Sequence, residues 1–331
     1  MRGTKSIVIT GGAGFIGSHL AERLLREEGH RIIIFDSFRH MQHRNLEGIK
    51  DHPRLEVIDG DVCNVGQVRQ VITQDISQVY HLSSIVGIQH YCDNPLEVID
   101  VNVLGTRHVM EAALHHDVRM LFTSTSEVYG RNPKVPWGEE DDRVVGSTTV
   151  DRWSYATSKA LCEHMIFALA QNKGLRCSIV RFFNVYGPRQ NPIFVVSRGI
   201  HRVLNGLRPL MYDSGQQNRC FTYVDDAVEG MVQAASQEIA VGEAFNIGQD
   251  QPWTIREINE LIIKLAGKES TLKLEPLDTG EFYGPGYEDI PHRIPRVEKA
   301  RRQLGWSATI SVEEGIQRCI QWARANPWWL T

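Results

Sequence analysis

The chain has 331 residues, 42% of them hydrophobic and 23% charged, and Lys+Arg 36 against Asp+Glu 40 leaves a formal charge of −4. That length predicts roughly two domains, the missing basic excess argues against a nucleic-acid binder, and no apolar run approaches the ~20 residues of a membrane span. The opening residues Met1-Arg2-Gly3-Thr4-Lys5 lead straight into strand-like sequence with no signal-peptide core. Six scattered cysteines without a CxxC pair read as reduced thiols, so a cytoplasmic protein is expected. The histidines show no HExxH or similar spacing, and no metal is expected.

In chain order, Ser6-Ile7-Val8-Ile9-Thr10 is a β-branched run followed by the glycine-rich Gly11 to Gly17. His19 to Leu25 then has apolar residues at helical spacing. Arg31 to Asp36 is apolar nearly throughout, as a strand covered on both faces should be. Leu55 to Asp59, Gln78 to Leu82, Met120 to Ser124 and Cys177 to Arg181 predict further strands, with helical patterns at Val103 to Leu114 and Ser158 to Gln171 between some of them. This alternation predicts an α/β fold, a Rossmann-type doubly wound parallel sheet. Beyond residue 190 the texture changes: Asn191-Pro192, Gly206 to Pro209 and Asp213-Ser214-Gly215 are loop signals, and Thr279 to Pro295 is rich in glycine, proline and charge. The expected division is a dinucleotide-binding domain at 1–190 and a smaller, discontinuous substrate lobe at 191–331. Phe221 to Val224 and Ala244 to Ile247 are expected to return as strands to the main sheet, and a last helix is expected over Val312 to Arg324.

Gly12, Gly14 and Gly17 fit the GxGxxG fingerprint, with Gly11 giving the related GxxGxxG spacing. Such glycines allow a tight turn that brings backbone N–H groups and a helix N-terminus to a pyrophosphate. Asp36, nineteen residues after Gly17 at the end of the second strand, has the spacing of a ribose-binding carboxylate and favours NAD over NADP. Arg39 and Arg44 nearby are cations that could tolerate a 2′-phosphate. Tyr155 and Lys159 lie at i and i+4, where the ammonium is expected to lower the phenol pKa toward working pH and make a general base. Ser124 to Gly130 follows a strand, at whose carboxyl end ligands bind in this fold.

Taken together, GGAGFIG at 11–17, Asp36, STSEVYG at 124–130, YATSK at 155–159, FFNVYGPR at 182–189 and RCFTYVDDAVEG at 219–230 resemble the extended short-chain dehydrogenase/reductases acting on nucleotide sugars. The resemblance runs over essentially the whole chain. It implies NAD as a retained cofactor, held by Gly11, Gly14, Phe15, Ile16, Gly17, Asp36, Asp61, Val62, Leu82 and Asn102 together with Tyr155 and Lys159. It implies Thr125, Tyr155 and Lys159 as a catalytic trio, joined by Glu127. Tyr91, Ser126, Asn184, Arg189, Arg219 and Arg293 are the implied contacts of a UDP-sugar. A homodimer through the helices around 103–115 and 156–171 is expected on the same ground.

Three local features are similar to the UDP-glucuronate decarboxylases of that family: Glu127 after Thr125-Ser126, His90 to Pro95, and Pro291-His292-Arg293-Ile294-Pro295. An arginine entering the site suits a uronic acid, because its planar fork binds carboxylate bidentately. The implied chemistry oxidises C4, loses the C6 carboxylate as CO2 and protonates C5, for which Glu127 or a water it holds is a candidate acid. A 4,6-dehydratase would want an aspartate where Ser126 stands, and a 4-epimerase needs no carboxylate at 127. Both remain rivals, as does a non-catalytic NAD-sensing scaffold on the same fold. Ser83-Ser84 stands where many relatives have alanines, and Arg152-Trp153-Ser154 is closer to the decarboxylase module of the polymyxin pathway than to the xylose synthases. The mild overall acidity conceals Arg181, Arg189, Arg219 and Arg293, in or beside motifs expected to face a pyrophosphate and a carboxylate.

Overall fold

The computed structural model describes residues 5–39, 43–283 and 288–331; Met1 to Thr4 and part of the Thr279–Pro295 stretch lie outside them. In the first half, strands β1 (Ser6–Thr10), β2 (Arg31–Asp36), β3 (Leu55–Asp59), β4 (Ile76–His81), β5 (Arg119–Thr125) and β6 (Cys177–Phe182) alternate with helices. The helices are α1 (Phe15–Leu25), α2 (Val65–Val71), α3 (Ile88–Asp93), α4 (Pro95–Asp100), α5 (Thr106–His115) and α6 (Trp153–Lys173). The second half adds β7 (Val185–Tyr186), α7 (Val195–Leu204), β8 (Leu210–Tyr212), β9 (Asn218–Arg219), β10 (Thr222–Tyr223), α8 (Val224–Ser236) and β11 (Ala244–Ile247). It closes with β12 (Trp253–Thr254), α9 (Ile255–Leu265), β13 (Glu275–Leu277), α10 (Thr279–Tyr283), β14 (His292–Arg293) and α11 (Val312–Ala325).

The main sheet has the order β11-β6-β5-β4-β1-β2-β3, every pair parallel. The chain winds outward from β1 in both directions, so the switch point falls between β1 and β4, and the loops after β1, β4, β5 and β6 open on one edge. All residues of β1 and β5 are buried, because helices cover both faces. On one face α1 and α8 bring Leu20, Leu24, Val228 and Met231 against Ile9 and Val180. On the other α2, α5 and α6 bring Val68, Val109, Met110 and Ile166 against Val8, Val79 and Phe122.

Of the two strands expected to return to the main sheet, one does. Ala244 to Ile247 does return to the sheet, as β11 beside β6. Thr222–Tyr223 does not: it pairs with Val185–Tyr186 in a separate two-stranded sheet. The difference lies in length, since two paired residues bridge the lobes while α8 immediately carries the chain back over the main sheet. Residues 224–247 therefore belong with the dinucleotide-binding layers. The smaller lobe is built from β8 with β13, from β9 between β12 and β14, and from α7, α9 and α11 packed together. α9 begins with a capping box in which Thr254 and Glu257 satisfy each other's backbone amides. All six cysteines are free thiols. Among the described residues no helix is long and apolar enough to cross a membrane, and no three His, Cys, Asp or Glu side chains meet as a metal ion would require.

Candidate active site

The glycine loop leaves β1 with Gly11 at φ +70°, where a Cβ would sit 2.7 Å from the Ser83 amide. A Cβ on Gly17 would overlap the Gly11 carbonyl oxygen, so this turn closes only with glycine at both places. Gly14 caps α1 without a side-chain bond, leaving the amides of Phe15, Ile16 and Gly17 at the helix start for an anion. Asp36 takes hydrogen bonds from the Ala13 and Phe38 amides, both at 3.0 Å, and burial pushes its carboxyl up. Arg39 pairs with Asp61 at 3.0 Å and Arg44 lies over the Trp328 ring, so each cation near Asp36 already has an occupation. Asp61 also receives the Cys63 amide at 2.8 Å, beside the buried Val62, while the Leu82 amide continues β4 onto Thr10 O. This cradle fits the pyrophosphate and adenosine ribose of a dinucleotide.

Deeper along the same edge, Thr125 ends β5 and its Oγ1 accepts the Glu127 amide at 3.2 Å, capping the short turn Ser126–Tyr129. α6 starts at Trp153, earlier than expected, so Tyr155 stands in its first turn and Lys159 one turn further in. The Tyr155 phenol is hydrogen-bonded to the Ser84 and Thr125 side chains. Ser84 Oγ donates to Asn102 at 2.7 Å, and Asn102 donates to Ser158 at 3.0 Å, tying the phenol to the floor of α6. Tyr91 stacks on Tyr155 with ring centres 4.6 Å apart and 5° between planes, its own phenol held by the Gly87 amide. Tyr91 thus walls the Tyr155 phenol.

The expected effect of Lys159 on Tyr155 needs correction. Lys159 Nζ donates to the Thr123 carbonyl at 2.9 Å and lies over Phe122, and burial lowers its pKa to about 8. Burial, then the Glu127 charge, pushes the Tyr155 phenol up rather than down. In this state the phenol is neutral, because no cation outweighs its desolvation.

Glu127 also differs from its expected acid role. Its carboxylate is buried between Arg152 Nη1 at 2.5 Å and Arg293 Nη1 at 3.3 Å. Burial opposes ionisation, but the two guanidinium groups and their hydrogen bonds outweigh it and hold the pKa at about 2. A carboxyl so acidic is a poor proton donor near neutrality. Beside it, Ser126 Oγ and Arg293 Nε are buried polar atoms without a hydrogen-bond partner among the described residues.

The remaining expected residues separate into two groups. Arg219 Nη2 donates to Asp289 at 2.9 Å, and Asn184, at φ +38°, donates to the Cys220 carbonyl at 3.4 Å. Asn184 stands just before β7, and Arg219 lies on β9 between β12 and β14. Arg189 is committed elsewhere: it pairs with Glu22 of α1 at 2.5 Å and donates to the Asn45 carbonyl, bracing the glycine-loop end. Arg181 is locked on Glu163 at 2.6 Å and on the Tyr129 hydroxyl, inside the fold rather than facing a ligand. Arg152 was missing from the sequence-based site. A charged residue three positions before Tyr155, on the same face of α6, was the available signal.

Residues 8–319 match the family described as GDP-mannose 4,6 dehydratase. The chain is 38% identical over 326 residues to a UDP-N-acetyl-alpha-D-glucosaminuronate decarboxylase of Bacillus cytotoxicus, covering 97% of this chain and 98% of that one. It is 33% identical over 320 residues to UDP-glucuronic acid decarboxylase 1 of Danio rerio, covering 96% of this chain and 72% of that one. A solved dTDP-glucose 4,6-dehydratase from Streptomyces venezuelae with NAD bound superposes with a TM-score of 0.88 at 26% identity, covering 98% of this chain and 100% of that one. With the parallel sheet, glycine cradle and Thr125–Tyr155–Lys159 arrangement, these likenesses place the chain in the GDP-mannose 4,6 dehydratase family, NAD-dependent extended short-chain dehydrogenase/reductases that modify nucleotide sugars.

Proposed function

We propose that this enzyme removes CO2 from a UDP-linked uronic acid through a 4-keto intermediate, with NAD as its cofactor. The observation that carries the reading is the charge balance around Glu127. Two buried arginines share one carboxylate there, and an Arg293 Nε and a Ser126 hydroxyl beside it have no hydrogen-bond partner among the described residues. A pocket with one cation in excess and donors to spare suits a second carboxylate. Neither 4-epimerisation nor 4,6-dehydration of a neutral sugar calls for that surplus. The two decarboxylase relatives support the same choice, and they differ in whether C2 of the sugar carries a hydroxyl or an acetamido group.

NAD, when bound, supplies a hydride acceptor that carries a positive charge. The glycine loop and Asp36 hold its pyrophosphate and ribose, and Lys159 and Asn102 line the way to Tyr155. Deprotonated beside that positive charge, Tyr155 Oη takes the proton of the sugar 4-hydroxyl, with Thr125 and Ser84 fixing the phenolate in place. The ketone so formed is β to the C6 carboxylate. When the C5–C6 bond breaks and CO2 leaves, its electron pair passes into an enolate whose oxygen faces the Thr125 and Tyr155 hydroxyls. Arg293 and Ser126 orient the departing carboxylate. Glu127, held ionised, positions Arg293, and the proton for C5 comes from Tyr155 or from water admitted beside it. Arg219 and Asn184 take the pyrophosphate of the nucleotide, which requires Asp289 to give up Arg219. Arg189 is proposed to act through the glycine-loop end.

Incubation with NAD and UDP-glucuronate, and in parallel with its 2-acetamido counterpart, should release CO2 and yield a UDP-pentose or its 4-keto form. Tyr155→Phe should cut turnover by at least about 100-fold, as expected for loss of a general base, while UDP affinity measured by calorimetry stays unchanged. Formation of UDP-galacturonate with no CO2 would overturn the decarboxylase reading in favour of the epimerase. No turnover of any UDP-sugar would favour the scaffold.

A further inference from the structure

The two arginines at Glu127 are held in different ways. Arg152 has a side chain only 1% exposed; its Nη1 meets Glu127 Oε2 at 2.5 Å, its Nε donates to the Glu288 carbonyl at 3.1 Å, and its guanidinium lies 5.3 Å from the Trp153 ring centre. It sits at the head of α6, a helix of 21 residues whose first turn also carries Tyr155. Arg293 reaches the other carboxylate oxygen at 3.3 Å, has an Nε without a hydrogen-bond partner among the described residues, and stands on the two-residue strand β14. A short charge-assisted bond with a backbone anchor holds its place better than a long one. Of the two, Arg293 is the arginine that can exchange partners.

If Arg293 turned to an incoming carboxylate with no other cation at hand, Glu127 would be left as a buried, unpaired charge. That state is costly enough to oppose the exchange. Arg152 removes the difficulty. We propose that Arg152 is the fixed counter-charge of Glu127, a positioning residue that releases Arg293 to hold the substrate carboxylate. The inference rests on the uronate reading above, and it assigns to Arg152 a duty in substrate selection without contact with the substrate.

The test is binding to the NAD-saturated enzyme, titrating UDP-glucuronate and UDP-glucose by calorimetry. Wild type should prefer the uronate by about tenfold or more, the scale of a charge-assisted hydrogen bond. In Arg152→Met the preference should fall below about threefold, because Glu127 then retains Arg293. In Glu127→Gln/Arg152→Met it should return to about tenfold, since Arg293 no longer has a competing carboxylate. A merely structural Arg152 would not produce that recovery. Affinity for UDP alone and the melting temperature report whether each variant is folded. Should Arg152→Met fail to fold, Arg152→Gln reads the same quantity: it keeps an amide donor for Glu127 but removes the counter-charge, so the preference should drop severalfold. Full preference in either single variant, or no recovery in the double variant, overturns the role of Arg152 and leaves the uronate reading intact. A wild type without preference overturns that reading, and the inference with it.

Discussion

Glu127 shows how far one side chain can depart from what its type suggests. Its carboxyl is held near 2, below the ordinary 4.5, because two guanidinium groups outweigh its burial. A depressed folded-state pKa contributes stability that is complete above about 4.5 and lost as the pH falls through 2, here on the order of 3 kcal/mol. Glu127→Gln should therefore flatten the acid side of the stability curve between those limits, read as melting temperature against pH. A slope as steep as wild type would show that the ion pairs do not carry this linkage. Lys159 has the opposite sign: burial lowers it to about 8, so the stability it withholds at neutral pH returns as the pH rises toward 10.5. The residue types at 127, 155 and 159 were legible in the sequence. Their protonation was not, because burial and through-space charges set it, and neither can be read from i,i+4 spacing.

At the scale of elements, the β1–loop–α1 unit was the most legible, since its glycines are demanded by local geometry. A Cβ at Gly17 would collide with the Gly11 carbonyl oxygen within the same turn. Gly17→Ala should weaken NAD binding at least about tenfold and cost about 1–3 kcal/mol of stability, as overpacking against backbone does, measured by calorimetry and thermal unfolding. Unchanged NAD affinity would show that the turn can open. The segment at 222–223 was legible as a strand but not in its pairing. Two residues carry too little pattern to choose between β6 and β7, and the choice belongs to the tertiary path of α8. α6 likewise begins ahead of its apolar periodicity, because Trp153 and Tyr155 bury against neighbours rather than along a helical stripe.

For the whole molecule, the segment Glu288–Arg293 joins the lobes. The Glu288 carbonyl and carboxylate receive Arg152 and Trp153, Asp289 receives Arg219, and His292–Arg293 pairs with Asn218–Arg219. Nucleotide and carboxylate ends of a substrate would thus both act on one short segment. Leu96, Leu104 and Leu161 are 74%, 45% and 46% exposed around α4 to α6. We propose that this face is covered by a second copy of the chain. Leu161→Glu should then convert a sedimenting dimer into a monomer. A monomeric wild type would end that expectation.

The sequence by itself determined the class of fold, the dinucleotide cradle and the chemistry on offer at Thr125, Tyr155 and Lys159, because these depend on periodicity and on residues that only one backbone geometry accepts. Only the tertiary structure decided which arginines are available. It locks Arg181 on Glu163, sends Arg189 to Glu22, and brings Arg152 and Arg293, 141 positions apart in the chain, onto one buried carboxylate. Charge pairing is a matter of distance in space and of desolvation, and a linear sequence specifies neither until the chain has folded.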